Sequence, residues 1–189
     1  MRPHIAESRN NEFTLSDHRP RLTTERLILD AYTLDDFDAI ATMSADPQVM
    51  RYIGGGAGRD REESWGRLLR YLGHWQLLGY GYWAVREKHS GQFIGSLGFA
   101  NYQREISPPL EAPEMGWLLC TAAQGKGYAT EALRAALAWG KDALPGGRTQ
   151  CIISPHNQPS IRVAHKIGFR ETHRAEYHQR TVLVMEQTL

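Results

Sequence analysis

Cysteine, net charge and long apolar runs are all scarce in this sequence of 189 residues. Its two cysteines, Cys120 and Cys151, lie at the ends of apolar segments, which argues against a disulfide framework and predicts a reducing compartment, the cytoplasm. A formal net charge of +1, without a basic stripe along any predicted helix, argues against nucleic acid and favours a small-molecule partner. No stretch has the roughly 18 apolar residues that a membrane span needs, so no membrane association is expected.

The chain is predicted to be one domain, residues 21–189, preceded by a polar, flexible tail, residues 1–20. From Thr23 onward, runs with strand character alternate with helical periodicity, and Pro47 interrupts the first helix. The predicted order is β, α, α, three β, α, β, α, β, β, with strands that include "RLILDAY", "GYWAVRE", "QFIGSLGFA", "EMGWLLC" and "TQCIIS". This order predicts a mixed α/β domain of about seven strands and about four helices.

A turn with two glycines, Gln124-Gly125-Lys126-Gly127-Tyr128-Ala129, connects a predicted strand to an alanine-rich predicted helix. We call it the glycine loop. Successive N–H groups at a helix N-terminus can surround a pyrophosphate, so the glycine loop is a candidate phosphate site, with an ordinary turn into a core helix as the alternative. A Walker loop would need glycine in place of Cys120 and serine or threonine in place of Gly127. A dinucleotide-binding fingerprint would use Thr130 as its third small residue and an acidic residue where Ser154 stands.

A second motif follows: Asn157-Gln158-Pro159-Ser160-Ile161-Arg162-Val163-Ala164-His165-Lys166-Ile167-Gly168-Phe169. With Gln124, Gly127 and Ala129 of the glycine loop and the opening "LTTERLILDAYTLDD", it resembles the GNAT acyltransferases, and among them the RimJ/RimL-like ribosomal-protein N-terminal acetyltransferases. The resemblance extends from about Leu22 to the C-terminus. It implies a mostly antiparallel sheet with a central, splayed parallel pair, and direct transfer of an acetyl group from acetyl-coenzyme A to a primary amine.

The resemblance also implies a set of coenzyme-binding residues. N–H groups from Gly125 to Ala129 would hold the pyrophosphate, and the backbone at the end of the "MGWLLC" strand would bind the pantetheine amides. Lys166 would reach the 3′-phosphate, although a last-turn lysine also suits the helix C-terminus by itself, and Asn157 is equally suited to capping its own helix. The complete predicted set is Leu118, Leu119, Cys120, Gln124, Gly125, Lys126, Gly127, Tyr128, Ala129, Thr130, Asn157, Ser160 and Lys166.

For the chemical step, the amine must lose a proton, and the thiolate that leaves must be protonated or stabilised. Glu114 is the predicted base, because strand alternation places it on the face of Gly116 and Leu118, and the family often has an acidic residue there. An exposed carboxylate at a strand edge is the alternative. Many GNAT enzymes have a tyrosine four residues before the Gly-Phe glycine, where this sequence has Ala164. Ser160 is then the nearest predicted proton donor, followed by water.

Other interpretations remain open from the sequence. Cys120 with His156 would give a covalent acyl-enzyme, and a non-catalytic acyl-coenzyme A-binding protein would keep the fold without a competent base. The resemblance favours the α-amine of a protein or peptide N-terminus as acceptor, with a small-molecule amine, a metabolite or an antibiotic, as the alternative. Either a monomer or a homodimer is expected. No metal is expected, since none of the eight histidines forms a helical i, i+4 pair.

Overall fold

The computed structural model describes residues 19–189, so residues 1–18, most of the predicted tail, lie outside the described residues. The described residues form one eight-stranded sheet with the order β1-β2-β3-β4-β5-β6-β8-β7. The strands are β1 (Leu22–Thr23), β2 (Leu27–Asp30), β3 (Tyr82–Glu87), β4 (Phe93–Ala100), β5 (Glu114–Leu119), β6 (Arg148–Ile153), β7 (Arg170–Tyr177) and β8 (Arg180–Thr188). The helices are α1 (Phe37–Ala45), α2 (Pro47–Met50), α3 (Arg61–Leu78), α4 (Tyr128–Ala143) and α5 (Gln158–Lys166).

Local signals in the sequence explain where the helices begin and end. At the start of α3, the Glu63 N–H donates to the Asp60 side chain at 2.8 Å and the Asp60 N–H donates to the Glu63 carboxylate at 3.2 Å. This reciprocal capping box fixes the first turn of α3, and Gly79 ends the helix with a φ of +73°. Pro47 has no N–H with which to continue α1, so α1 ends at Ala45 and α2 begins.

The predicted fold class is confirmed, but the predicted counts of about seven strands and four helices are each one too low among the described residues. The first predicted strand, "RLILDAY", corresponds to β2, and the additional strand is β1, which precedes it across a turn where the Leu27 N–H donates to the Thr24 hydroxyl at 2.9 Å. The additional helix is α2, a single turn after Pro47.

Each face of the sheet carries its own core. The core under α4 and α5 includes Trp83 and Phe99, and the core under α1, α2 and α3 includes Tyr71 and Tyr82. Side chains alternate along β5, so its odd-numbered residues pack on the α4 and α5 side and its even-numbered residues face the α3 side. Residues from β5 therefore take part in both faces of the molecule.

The sheet opens between β5 and β6. These strands are the parallel pair of the described sheet, and their ladder consists of one position, Glu114 opposite Gln150. On its other side β5 is paired with β4 from Glu114 to Leu119. The backbone of β5 beyond Glu114 thus borders a gap toward β6, which confirms the predicted splayed parallel pair.

Candidate functional site

The backbone of β5 offers polar groups to the gap at alternate residues. The Cys120 N–H donates to the Ile94 carbonyl of β4 at 2.9 Å, and the Cys120 carbonyl accepts from the Ala123 N–H at 2.8 Å. Because backbone groups of a strand alternate between its two neighbours, Leu118 also faces β4, whereas Trp117 and Leu119 face the gap. The Leu119 carbonyl already accepts from the Gln124 carboxamide at 3.0 Å. Trp117 is absent from the predicted set, because the sequence does not show which alternate residues of β5 hydrogen-bond to β4 and which face the gap.

The glycine loop lies immediately beyond β5. Gly125 and Gly127 have φ values of +75° and +80°, which side-chain-bearing residues rarely adopt, and Gly127 is the N-cap of α4. A Cβ added at Gly125 would meet no atom within 4 Å, so the loop surface is open there. Within the described residues no hydrogen bond uses the N–H groups of Gly125, Lys126 or Gly127, and the first turn of α4 leaves further N–H groups free. These groups fit a pyrophosphate.

Three carboxylates, Asp46, Glu87 and Glu131, accept hydrogen bonds that fix the position of the glycine loop and the segments beside it. The Thr121 hydroxyl donates to Asp46 at 2.6 Å, and the Tyr128 hydroxyl donates to Glu87 at 2.7 Å. Each of these hydrogen bonds lowers the pKa of the accepting carboxyl. Tyr128 therefore packs against the loop with its hydroxyl occupied.

The third carboxylate, Glu131, is held by the turn between β1 and β2. It accepts from the Thr24 hydroxyl at 2.6 Å and from the Arg26 side chain at 2.7 Å, and Arg26 also donates to the Lys126 carbonyl at 3.0 Å. Burial raises the pKa of Glu131, but the hydrogen bonds from Thr24 and Arg26 outweigh burial, so the net pKa is lowered. The conformation of the loop backbone is thus fixed from three separate elements.

Three of the predicted residues, Gly127, Thr130 and Lys166, line an open cavity of about 720 Å³ beside α4. Thr130 and Lys166 line it together with Arg134, whose guanidinium donates to the Lys166 carbonyl at 3.3 Å. The Lys126 side chain is exposed on the loop. Lys166 therefore lies beside the first turns of α4 and outside the β5–β6 gap.

At the start of α5, the Asn157 carboxamide oxygen accepts from the Ser160 N–H at 3.2 Å, so Asn157 caps the helix. Both residues also line a larger cleft of about 1530 Å³, which we call the main cleft. It runs from the β5–β6 gap to α3, to residues 101–105 and to the turn between β7 and β8. Asn157 therefore both caps its helix and borders the site.

Glu114 is buried at the floor of the main cleft and is paired with Arg104. The guanidinium donates to the two carboxylate oxygens at 2.5 and 2.8 Å, and a further Arg104 N–H donates to the Tyr177 hydroxyl at 2.8 Å. Burial lowers the pKa of Arg104, but the hydrogen bonds and charge of Glu114 outweigh burial. The net pKa is raised, so the guanidinium remains charged. Glu114 is thus an oriented carboxylate inside the cleft rather than an exposed strand-edge group.

Tyr82 was not singled out from the sequence, yet its hydroxyl lies at the beginning of the gap. A Cβ added at Gly116 would collide with this hydroxyl, so the absence of a side chain at Gly116 makes room for the phenol. The ring stacks on Tyr71 with centroids 4.4 Å apart. Burial raises the pKa of Tyr82 well above its usual range, which keeps the phenol protonated. Its position two strands away from β5 explains why no local motif indicates it.

The cysteine alternative receives little support from the geometry. Burial raises the pKa of the Cys120 thiol, and nearby Asp46 raises it further, which disfavours the thiolate nucleophile. His156 lines the main cleft, and within the described residues it makes no hydrogen bond with Cys120. In residues 19–189 no cluster of three or more His, Cys, Asp or Glu side chains is arranged to hold a metal, and no helix there is long and apolar enough to cross a membrane.

Comparison with known proteins agrees with this geometry. Residues 26–170 match the family model of the acetyltransferase (GNAT) domain. The uncharacterized protein YkkB of Bacillus subtilis (strain 168) is 31% identical over 156 residues, which cover 79% of this chain and 85% of YkkB. A putative GNAT-family acetyltransferase from Bordetella pertussis is 29% identical and superimposes with a TM-score of 0.79, covering 90% of this chain and 100% of that chain.

A more distant structure shares the fold alone. RimL, a ribosomal L7/L12 α-N-protein acetyltransferase in complex with coenzyme A, has a TM-score of 0.73 at 16% identity, covering 90% of this chain and 98% of that chain. The family match is decisive, and this chain belongs to the GNAT acetyltransferase family. It is an N-acetyltransferase that uses acetyl-coenzyme A, as the sequence predicts, and its acceptor is an amine.

Proposed function

We propose that this protein transfers the acetyl group of acetyl-coenzyme A directly to the α-amine of a protein or peptide N-terminus. The observation that carries the proposal is the continuity of the main cleft with the β5–β6 gap. Gly116 and Trp117 of the gap line the same cleft that opens beside α3 and the β7–β8 turn. An amine that enters from this side meets the thioester at the gap without a covalent enzyme intermediate.

The coenzyme is bound mainly through backbone groups in this proposal. N–H groups of residues 125–129 and of Thr130 bind the pyrophosphate, where the N-terminus of α4 adds a favourable dipole. The gap-facing backbone of Trp117 and the N–H of Leu119 bind the pantetheine amides, while Gln124 holds the Leu119 carbonyl and Asn157 and Ser160 lie at the opposite border. Lys166, beside Arg134, takes the 3′-phosphate. These contacts leave the α3 side of the gap open to the acceptor.

Acetyl-coenzyme A supplies a thioester carbonyl as the electrophile. The amine nitrogen forms a bond to this carbon while the C–S bond breaks, so one proton leaves nitrogen and one reaches sulfur. Glu114 accepts the proton through a water, because Arg104 occupies both carboxylate oxygens but a carboxylate has about four lone-pair sites. Arg104 acts as a positioning residue that fixes the orientation of this carboxylate.

Tyr82 donates the proton to the leaving thiolate. Its protonated hydroxyl lies against Gly116 at the beginning of the gap, and its position is held by stacking on Tyr71. Ser160, which lines the cleft from the start of α5, is the second candidate for this step. Tyr82 would thus take the role of the tyrosine that many GNAT enzymes have at the position where this chain has Ala164.

Electrostatics in the cleft favours an α-amine over a lysine side chain. An α-amine has a reference pKa of about 7.7–8.0, against about 10.4 for lysine, so more of it is unprotonated at neutral pH. Several guanidinium groups line the main cleft, and their positive charge further disfavours an ammonium. The fold shared with RimL supports the same acceptor class. A small-molecule amine remains the alternative acceptor.

A competition experiment tests this assignment. The protein, acetyl-coenzyme A, a lysine-free peptide with a free N-terminus and an N-blocked peptide carrying lysine are mixed, and both products are measured by mass spectrometry. We expect faster acetylation of the free N-terminus. Preferential labelling of the lysine peptide would contradict the proposal, and labelling of small amines in place of both peptides would favour the small-molecule alternative.

A further inference from the structure

The acceptor end of the main cleft carries more positive charge than its own residues neutralise. Building on the proposed function, we infer that the acceptor bears negatively charged groups next to its reacting amine. For a peptide acceptor, this means acidic side chains in the first few positions after the N-terminus. The inference rests on four arginines that line this cleft without an ion-pair partner among the described residues.

The four arginines approach the main cleft from three segments. Arg67 and Arg70 lie one turn apart on α3, Arg51 follows α2, and Arg180 begins β8. Among the described residues none of the four has a carboxylate within ion-pair distance. Aromatic rings orient two of them, since the Arg70 guanidinium lies 5.9 Å from the centre of the Tyr102 ring and Arg51 lies 5.2 Å from that of Tyr52.

Carboxylates that could neutralise this charge are few. Of the acidic side chains that line the cleft, Glu114 is already occupied by Arg104, and Glu105 is the other. Elsewhere arginines are commonly paired with carboxylates, as in Arg21–Asp30, Arg26–Glu131, Arg61–Asp38, Arg86–Asp36 and Arg148–Glu111. The cleft is therefore a positively charged concave surface within a chain whose net charge is only +1.

The chemistry of guanidinium selects the ligand class. Arginine binds carboxylate and phosphate oxygens through paired N–H donors, which gives both charge and geometric complementarity. An extended peptide advances about 3.3 Å per residue, so the side chains at positions two to four of the peptide lie about 3–10 Å along the chain from the reacting amine. Acidic side chains at these positions would reach from the gap toward the arginines at the cleft mouth, and the cleft field would also attract them from solution.

The test uses three peptides that differ only at positions two to four. One carries Asp and Glu, the second carries the isosteric Asn and Gln, and the third carries Lys. We expect kcat/KM for the acidic peptide to exceed that for the amide peptide by about tenfold at low salt, because each exposed ion pair contributes only a modest factor. The preference should shrink as ionic strength rises. Affinity measured by calorimetry in the presence of coenzyme A should follow the same order.

Variants of the protein locate the preference. Arg67→Gln and Arg70→Gln, singly and together, should reduce the acidic-to-amide ratio. The matched control is Arg170→Gln, because Arg170 is exposed on β7, has no ion-pair partner among the described residues and lies outside the cleft lining. The control should keep the wild-type ratio.

The possible outcomes separate this inference from the proposed function. Equal kcat/KM and equal affinity for acidic and amide peptides, or a preference for the lysine peptide, would overturn the inference and leave N-terminal acetylation standing. Acetylation of small amines that carry a carboxylate or phosphate, with no peptide turnover, would support the anionic preference and overturn the peptide assignment. If no acceptor is turned over, the calorimetric order of the peptides still decides the inference.

Discussion

The glycine loop and the main cleft serve the same reaction but are built in different ways. The loop is contiguous in sequence and offers backbone N–H groups, and each of its three neighbouring carboxylates accepts a side-chain hydrogen bond. The main cleft takes side chains from α3, from residues 101–105 and from the β7–β8 turn, and its arginines are left with few carboxylates. This contrast indicates that the coenzyme end depends on backbone conformation, whereas the acceptor end depends on side-chain identity.

The largest effect is expected from changing the loop backbone. Gly125→Val places a branched side chain at a φ of +75°, which costs on the order of 1–3 kcal/mol, and fills the surface where the pyrophosphate would lie. Acetyl-coenzyme A at about 100-fold above its Kd should stabilise the wild type by about 2.7 kcal/mol. We expect Gly125→Val to lose this stabilisation, as measured by thermal melting with and without ligand, together with activity.

The matched control is Gly146→Val, because Gly146 has a φ of +77° and is equally free of neighbours within 4 Å, but lies in the turn before β6. It should lose similar stability and keep the response to acetyl-coenzyme A. An equal ligand response in both variants would sink the assignment of the glycine loop.

A smaller but still large loss is expected at the floor of the cleft. Glu114→Gln should lower kcat by about 10³, mainly at low and neutral pH, where deprotonation of the amine limits the rate, and should leave coenzyme binding nearly intact. Arg104→Lys tests the positioning role of Arg104 separately from the catalytic role of Glu114, because it disturbs the ion pair but keeps the carboxylate. Cys120→Ala should remain active. An inactive cysteine variant beside a normal glutamine variant would favour the covalent route.

Removing the proposed proton donor, the Tyr82 hydroxyl, should lower kcat by less than removing the Glu114 carboxylate. Tyr82→Phe keeps the stacking on Tyr71 but removes the hydroxyl at Gly116, and we expect kcat to fall by about 10² with little change in KM for acetyl-coenzyme A. Tyr32→Phe is the control, because Tyr32 is a buried tyrosine of the same core and lies outside the cleft lining. Equal losses in both variants would indicate a packing role for Tyr82.

The smallest expected effect is on the stability of the folded protein at acidic pH. Asp46, Glu87 and Glu131 have lowered pKa values in the folded protein, so their stabilising contribution is present above the unfolded values of about 3.9 and 4.3 and is lost as pH falls through the folded values. Glu131→Gln should therefore weaken the dependence of unfolding free energy on pH below about 4.3. Urea titrations between neutral and acidic pH measure this slope, and an unchanged slope would contradict the role of Glu131.

Local signals explain how much of the fold was predictable. The Asp60 and Glu63 capping box, Gly79 and Pro47 place helix ends through interactions within a few residues, and the predicted interruption of the first helix at Pro47 agrees with α1 ending at Ala45. β1 is absent from the prediction, and the turn that joins it to β2 is also held by Thr24 and Arg26, whose side chains donate to Glu131 of α4, more than a hundred residues away in sequence. Such a contact leaves no local pattern.

The sequence by itself determined the family, the order of the elements other than β1 and α2, and the position of the glycine loop, because each of these depends on residues adjacent in the chain. Only the tertiary structure decided which backbone groups of β5 face the gap, that Glu114 is paired with Arg104, and that the Tyr82 hydroxyl lies against Gly116. Which residues of a strand face which neighbour, which side chains are buried, and which distant side chains come into contact are decided by the packing of the sheet. The charge of the acceptor end follows the same rule, since its four arginines come from three separate segments that only folding brings to one cleft.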